Sequence, residues 1–115
     1  MRTALLVVTL AGCASVLPGA EVRYSGVSSP QAPCGVASPA TLVVRRLGFS
    51  FAPTSGVLLI PGDVAADGTL TGSLSTVGMD HKPFTMTFGA KIVGAEVSGT
   101  YITPRCRFDV ALRQR

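Results

Sequence analysis

Three cysteines and a single histidine in 115 residues bound the chemistry open to this chain. Cys13 follows Leu10-Ala11-Gly12 at the close of an apolar run, Ala4-Leu5-Leu6-Val7-Val8-Thr9-Leu10, which itself follows the basic Arg2. Small residues at Ala11 and Gly12 suit the approach of a signal peptidase, and the Cys13 thiol beside them is a potential nucleophile. Cys34 and Cys106 suit a disulfide in a small exported domain, because no CxxC spacing and too few histidines are present for a zinc site. Such a bridge closes a loop of about 70 residues and is worth about 4 kcal/mol in the chain-entropy picture.

The remaining reactive residues do not form a constellation. His81 lies in Asp80-His81-Lys82 before Pro83, without a nucleophile elbow of the Gly-x-Ser-x-Gly kind anywhere in the chain, and reads as a solvated turn residue. Asp63 and Asp67 stand four apart before Gly68, yet the third and twelfth positions of that would-be calcium loop are Ala65 and Leu74, which offer no oxygen. Glu96 has no second carboxylate in its own strand to make a glycosidase pair. The chain is therefore read as non-enzymatic, with no metal and no cofactor.

The order Leu10-Ala11-Gly12-Cys13 resembles the lipobox of bacterial lipoproteins. The resemblance covers residues 1–13 and speaks of address alone. It implies a signal peptide over 1–12 in helical form, a diacylglycerol thioether on Cys13 and acylation, palmitate among the chains, on the amine freed by cleavage. Two or three such chains hold a protein stably to a membrane where one does so only marginally. Ala14 and Ser15 lack the aspartate that goes with inner-membrane retention, so the resemblance implies an outer-membrane lipoprotein facing the periplasm. A conventional secretory signal cut after Ala14 is the alternative these residues leave open.

Stepwise punctuation by Ser15, Pro18, Gly19, Gly26, Pro30, Pro33 and Pro39 makes 13–39 read as the lipidated cysteine and a flexible tether, with a brief strand at Glu21–Tyr24. Residues 40–115 read as one antiparallel β domain, small enough that a disulfide matters to its folding. Leu42 and Val44 fall out of phase with Leu47, Phe49 and Phe51, which a bulge at Arg45-Arg46 would reconcile. Pro61-Gly62 is expected to end the next strand. Asp67-Gly68 marks a two-residue hairpin with positive φ at both positions. Leu70, Gly72 and Leu74 share a face, as do Phe84, Met86 and Phe88; Gly89-Ala90-Lys91 is expected to turn. Cys106, Phe108, Val110 and Leu112 alternate with Arg105, Arg107, Asp109 and Arg113 in the last strand. This alternation predicts an all-β fold, a small antiparallel barrel or a curled sandwich closed by the Cys34–Cys106 bridge.

Ten lysines and arginines against six acids give a net charge of +4 at pH 7, one less without Arg2. Arg105, Arg107, Arg113 and Arg115 group at the C-terminal strand as a candidate contact for an anionic surface, since the guanidinium fork suits phosphate and carboxylate. Envelope residence removes nucleic acid as a partner. The expectation is a membrane-anchored envelope module, binding or structural, whose partner is an anionic envelope component or an envelope protein. The alternative is an inhibitor resembling in general plan the small β-rich lipoproteins that block lysozymes or proteases, with 77–82 as the inserting loop. The chain's own basicity opposes steering toward a basic lysozyme.

Overall fold

A computed structural model describes residues 21–32, 34–54 and 58–115. Residues 1–20, with the signal and Cys13, lie outside the described residues. The strands are β1 (Val22–Pro30), β2 (Ser38–Val44), β3 (Gly48–Ala52), β4 (Ile60–Val64), β5 (Thr69–Val77), β6 (Pro83–Val93), β7 (Glu96–Ile102) and β8 (Arg107–Gln114). Each pairs antiparallel with its sequence neighbours, and β8 returns to pair antiparallel with β1, so the sheet closes into a barrel rather than a sandwich. Closure leaves no unpaired edge.

Eight strands enclose a space that side chains can fill, and here they do. The inward residues are aromatic and aliphatic: Leu42, Phe51, Ile60, Leu70, Phe88 and Val97 are all but inaccessible to solvent. Phe51 and Phe88 stack with ring centroids 4.0 Å apart, Phe49 meets Phe88 edge-on at 5.6 Å, and Tyr101 reaches Phe51 at 5.8 Å and Phe108 at 5.0 Å. The buried Tyr101 hydroxyl donates to Met86 Sδ at 3.2 Å. Burial raises the pKa of both Tyr24 and Tyr101. The outward positions of β5 and β6 are Thr71, Ser73, Ser75, Thr85 and Thr87, all exposed. An apolar lumen inside a hydroxylated wall is the inverse of a membrane-spanning barrel, whose apolar band faces out.

Tight curvature brings strands closer than a side chain allows at Gly62, where a Cβ would collide with the Phe49 ring and the Thr71 carbonyl. That contact explains why Pro61-Gly62 lies inside β4 instead of ending it. Proline is tolerated because Pro61 is paired in register only with Ser50 of β3 and has no register partner on β5.

Several expectations are corrected by the pairing. The tether does not run to residue 39: β1 lies within it, and Tyr24 and Ser28 are buried in the barrel. Its density of Ser, Gly and Pro disguised a strand whose inward places are filled by Tyr24, Gly26 and Ser28 rather than by aliphatics. Arg45-Arg46 is no bulge but the start of the β2–β3 turn, closed by Arg45 N–H donating to the Gly48 carbonyl at 2.8 Å. The phase change there is a chain reversal that pairs Leu42 with Phe51 and Val44 with Phe49 and leaves Leu47 in solvent. Gly89-Ala90-Lys91 continues β6, and the reversal comes at Gly94-Ala95, where Gly94 alone takes positive φ as a type II′ turn requires. The Asp67-Gly68 hairpin is present with a longer loop than expected, and only Gly68 has positive φ.

Candidate functional site

Up-and-down topology gives the barrel two dissimilar ends. Where the chain enters β1 lie also the β2–β3, β4–β5 and β6–β7 turns and Arg115, whose N–H donates to the Arg23 carbonyl at 2.9 Å. The opposite end holds the described residues of the β1–β2 and β3–β4 connections, 31–32, 34–37, 53–54 and 58–59, with the connections 78–82 and 103–106. Cys34 and Cys106 join the first and last of these, with Cα atoms 5.9 Å apart, so the expected bridge is present and braces this end across the seam between β1 and β8. We refer to it as the braced end.

Large apolar side chains gather at the braced end, although a water-facing loop gains nothing from them. Val36 is 85 % exposed, Met79 is fully exposed, and Leu59, Val77 and Ile102 are exposed beside them, so every connection or its adjoining strand end carries one. Between the loops 78–82 and 103–106 runs a groove of about 730 Å³, lined by Met79, Lys82, Phe84, Pro104 and Arg105, with Asp80 as the one acid beside the two bases. Among the described residues, Lys82, Arg105 and Arg107 form no ion pair. The end is thus apolar at its tips and cationic around them, a combination that marks an interaction surface.

The loop 78–82 is stiffer than its composition suggests. Gly78 N–H donates to the Lys82 carbonyl at 3.0 Å, His81 N–H to the Gly78 carbonyl at 2.9 Å, and Lys82 N–H to Asp80 Oδ1 at 3.0 Å. His81 completes the turn at φ 63°, the left-handed region. A turn tied in this way presents Met79 without the ordering cost that a mobile loop would carry.

The candidate arginines do not make one patch. Arg107 and Arg113 stand at opposite ends of β8, roughly 20 Å apart at strand spacing. Arg105 and Arg107 belong to the braced end. Arg113 and Arg115 belong to the other, where Arg113 is held by Glu96 at 2.6 Å. Glu96 therefore serves as a counter-ion. Asp67 serves its turn: it accepts from Thr69 N–H at 3.0 Å, and that bond, with a weaker pull from Lys91, lowers its carboxyl pKa. No group of three or more His, Cys, Asp or Glu side chains fit to hold a metal occurs among the described residues. Sequence reasoning singled out 77–82 but passed over Val36, Leu59 and Ile102. For Val36 the signal was there, an apolar residue set between Gly35 and Ala37-Ser38-Pro39; Leu59, inside the apolar run 57–60, and Ile102, paired in β7, gave none.

No protein-family model matches the chain, and neither a curated protein nor a solved structure matches it.

Proposed function

We propose that this chain is a lipid-anchored module of a bacterial envelope, non-enzymatic, which binds an anionic envelope component or an envelope protein through its braced end. The observation that carries the reading is the division of labour between the two ends. The chain enters the barrel at Val22, nine positions after Cys13, while Val36, Leu59, Val77, Met79 and Ile102 gather at the far end with Lys82, Arg105 and Arg107, which form no ion pair among the described residues. Nine extended residues reach about 30 Å, so acyl chains on Cys13 keep the entering end near the bilayer and leave the braced end free to meet a partner. Placement on the outer membrane, facing the periplasm, follows from Ala14 and Ser15 within the lipoprotein resemblance.

Intact mass of the protein from bacterial membranes, beside Cys13→Ala, tests the anchor. A mass of residues 13–115 plus acyl groups is expected, with the variant left uncleaved or soluble. An unacylated soluble wild type rejects it. For the binding half, retention of the Cys13→Ala chain on isolated envelope fractions should fall when Arg105→Glu and Arg107→Glu are combined. Unchanged retention rejects the braced end as the surface.

Met79 favours a second reading, inhibition of a lysozyme or protease, because a fully exposed apolar side chain on a tied turn is suited to entering a cleft. Inhibition of such an enzyme that is lost on Met79→Asp but kept on Arg105→Glu would select it.

A further inference from the structure

At the entering end, Leu47 is 81 % exposed at the tip of the β2–β3 turn. Arg45 and Arg46 precede it, and beside the tip lies a groove of about 470 Å³ lined by Arg45, Arg46, Leu47 and Phe49. Glu21, the residue just before β1, is gripped by Arg45 at 3.1 Å and by Arg23 at 3.0 Å. The segment leading back to Cys13 therefore leaves the barrel at the foot of this one turn. Two guanidinium groups share that single carboxylate, and Arg46 forms no ion pair among the described residues. Val93, at the end of β6, adds a second exposed apolar side chain to the same end.

We infer that the Arg45-Arg46-Leu47 turn docks on an anionic lipid surface, with Leu47 entering the interface and the arginines meeting headgroup phosphates in the groove. The inference rests on the lipid-anchor reading and deepens it. One leucine and two arginines make a weak contact for a protein free in solution. A short tether changes the balance, because it holds the turn at millimolar effective concentration next to the bilayer. Three features converge on this occupant: the tether leaves at Glu21, Glu21 is clamped to Arg45, and the tip combines an aliphatic side chain with Arg46, which forms no ion pair among the described residues. The docked turn sets the barrel upright and directs Met79 away from the membrane.

The chain contains no tryptophan, so a single introduced indole reports its own surroundings. The acylated full chain carrying Leu47→Trp, or in parallel Met79→Trp, is reconstituted in vesicles of equal parts phosphatidylglycerol and phosphatidylcholine and in vesicles of phosphatidylcholine alone. Intact mass records acylation in each sample. The expected result is a blue shift and quenching by brominated lipid for Leu47→Trp in the anionic vesicles, a smaller change in the neutral ones, and water-like emission for Met79→Trp in both. Adding Arg46→Glu to Leu47→Trp should return the emission toward its value in water. An acylated, vesicle-bound chain whose Leu47→Trp indole stays water-like overturns the docking and leaves the anchor standing, with a protein partner as the occupant of this turn. A shift at Met79→Trp in its place overturns the docking too, because the braced end would then face the lipid. A chain without acyl groups overturns the anchor and this inference with it.

Discussion

His81 takes the turn position at the braced end that Gly68 takes at the opposite end of the barrel. Ala65 N–H donates to the Thr69 carbonyl, Gly68 N–H to the Ala65 carbonyl and Thr69 N–H to Asp67 Oδ1, bond for bond the pattern of residues 78–82. Both closing residues are left-handed, at φ 89° for Gly68 and 63° for His81. A side chain in that region costs about 1 kcal/mol that glycine does not incur. His81→Gly should therefore stabilise the fold, by somewhat under 1 kcal/mol because glycine also frees the unfolded chain. Thermal melts of the two proteins check this, and an unchanged or lower Tm would show that His81 is not strained. His81→Ala keeps the backbone strain and should give no comparable gain.

Removing the bridge with Cys34→Ala and Cys106→Ala should lower stability by about 4 kcal/mol, given a sequence separation of 72 residues. Denaturant melts measure the loss. Because the bridge joins two surface loops and not the core, the loss should come mainly from the freed unfolded chain, so the exchange protection of the core residues Phe51 and Phe88 should fall by the full global loss while their folded packing is unchanged.

Ser28 and Phe88 are both buried, and truncating them should act in opposite directions. Ser28 is 1 % exposed, and its Oγ has no hydrogen-bond partner among the described residues. Ser28→Ala removes that unsatisfied oxygen and should stabilise by about 1 kcal/mol. Phe88→Ala opens a cavity where Phe49 and Phe51 meet and should destabilise by roughly 3–5 kcal/mol. Equilibrium unfolding of both variants tests the sign of each.

Alkaline pH should unfold the barrel through its two tyrosines. Burial raises the pKa of Tyr24 and Tyr101, so each hydroxyl ionises in the unfolded chain before it does in the folded one. Their contribution is intact below the unfolded value of about 10 and is lost as pH climbs toward the folded values. A Tm that falls above that point, and falls less steeply in Tyr24→Phe, is the expected outcome.

Much of the fold was legible because period-two alternation survives wherever the inward residues are large. Phe84, Met86 and Phe88, and likewise Phe108, Val110 and Leu112, could only be one face of a strand. Legibility failed where the lumen is lined by small residues. In β1 the places of Gly26 and Ser28 look like a linker, yet Gly26 packs against Ala111 of β8 so closely that a Cβ would collide with its carbonyl. It failed again at Leu47, whose hydrophobicity suggested core although its neighbours force a turn. The disulfide was legible from cysteine arithmetic. Which loops it would bring together was not, because that depends on the β1–β8 closure, a pairing between the two ends of the sequence. Asp67 and Glu96 look like site residues by type alone, and only the structure shows one tied to a turn and the other to Arg113.

The seam between β1 and β8 is the barrel's most distant pairing, joining Pro30 to Phe108 across most of the domain. Every other pairing links neighbours in sequence, so this is the one step of folding that must search a long loop. Cys34 lies four residues beyond Pro30 and Cys106 two before Phe108. Once the sulfurs are joined, the path between the seam strands runs through the bridge and is as short as a hairpin loop. Oxidation thus turns the slowest search in the molecule into a local one, and a chain that reaches an oxidising compartment unfolded has its register at the seam chosen for it before the rest of the sheet has zipped up.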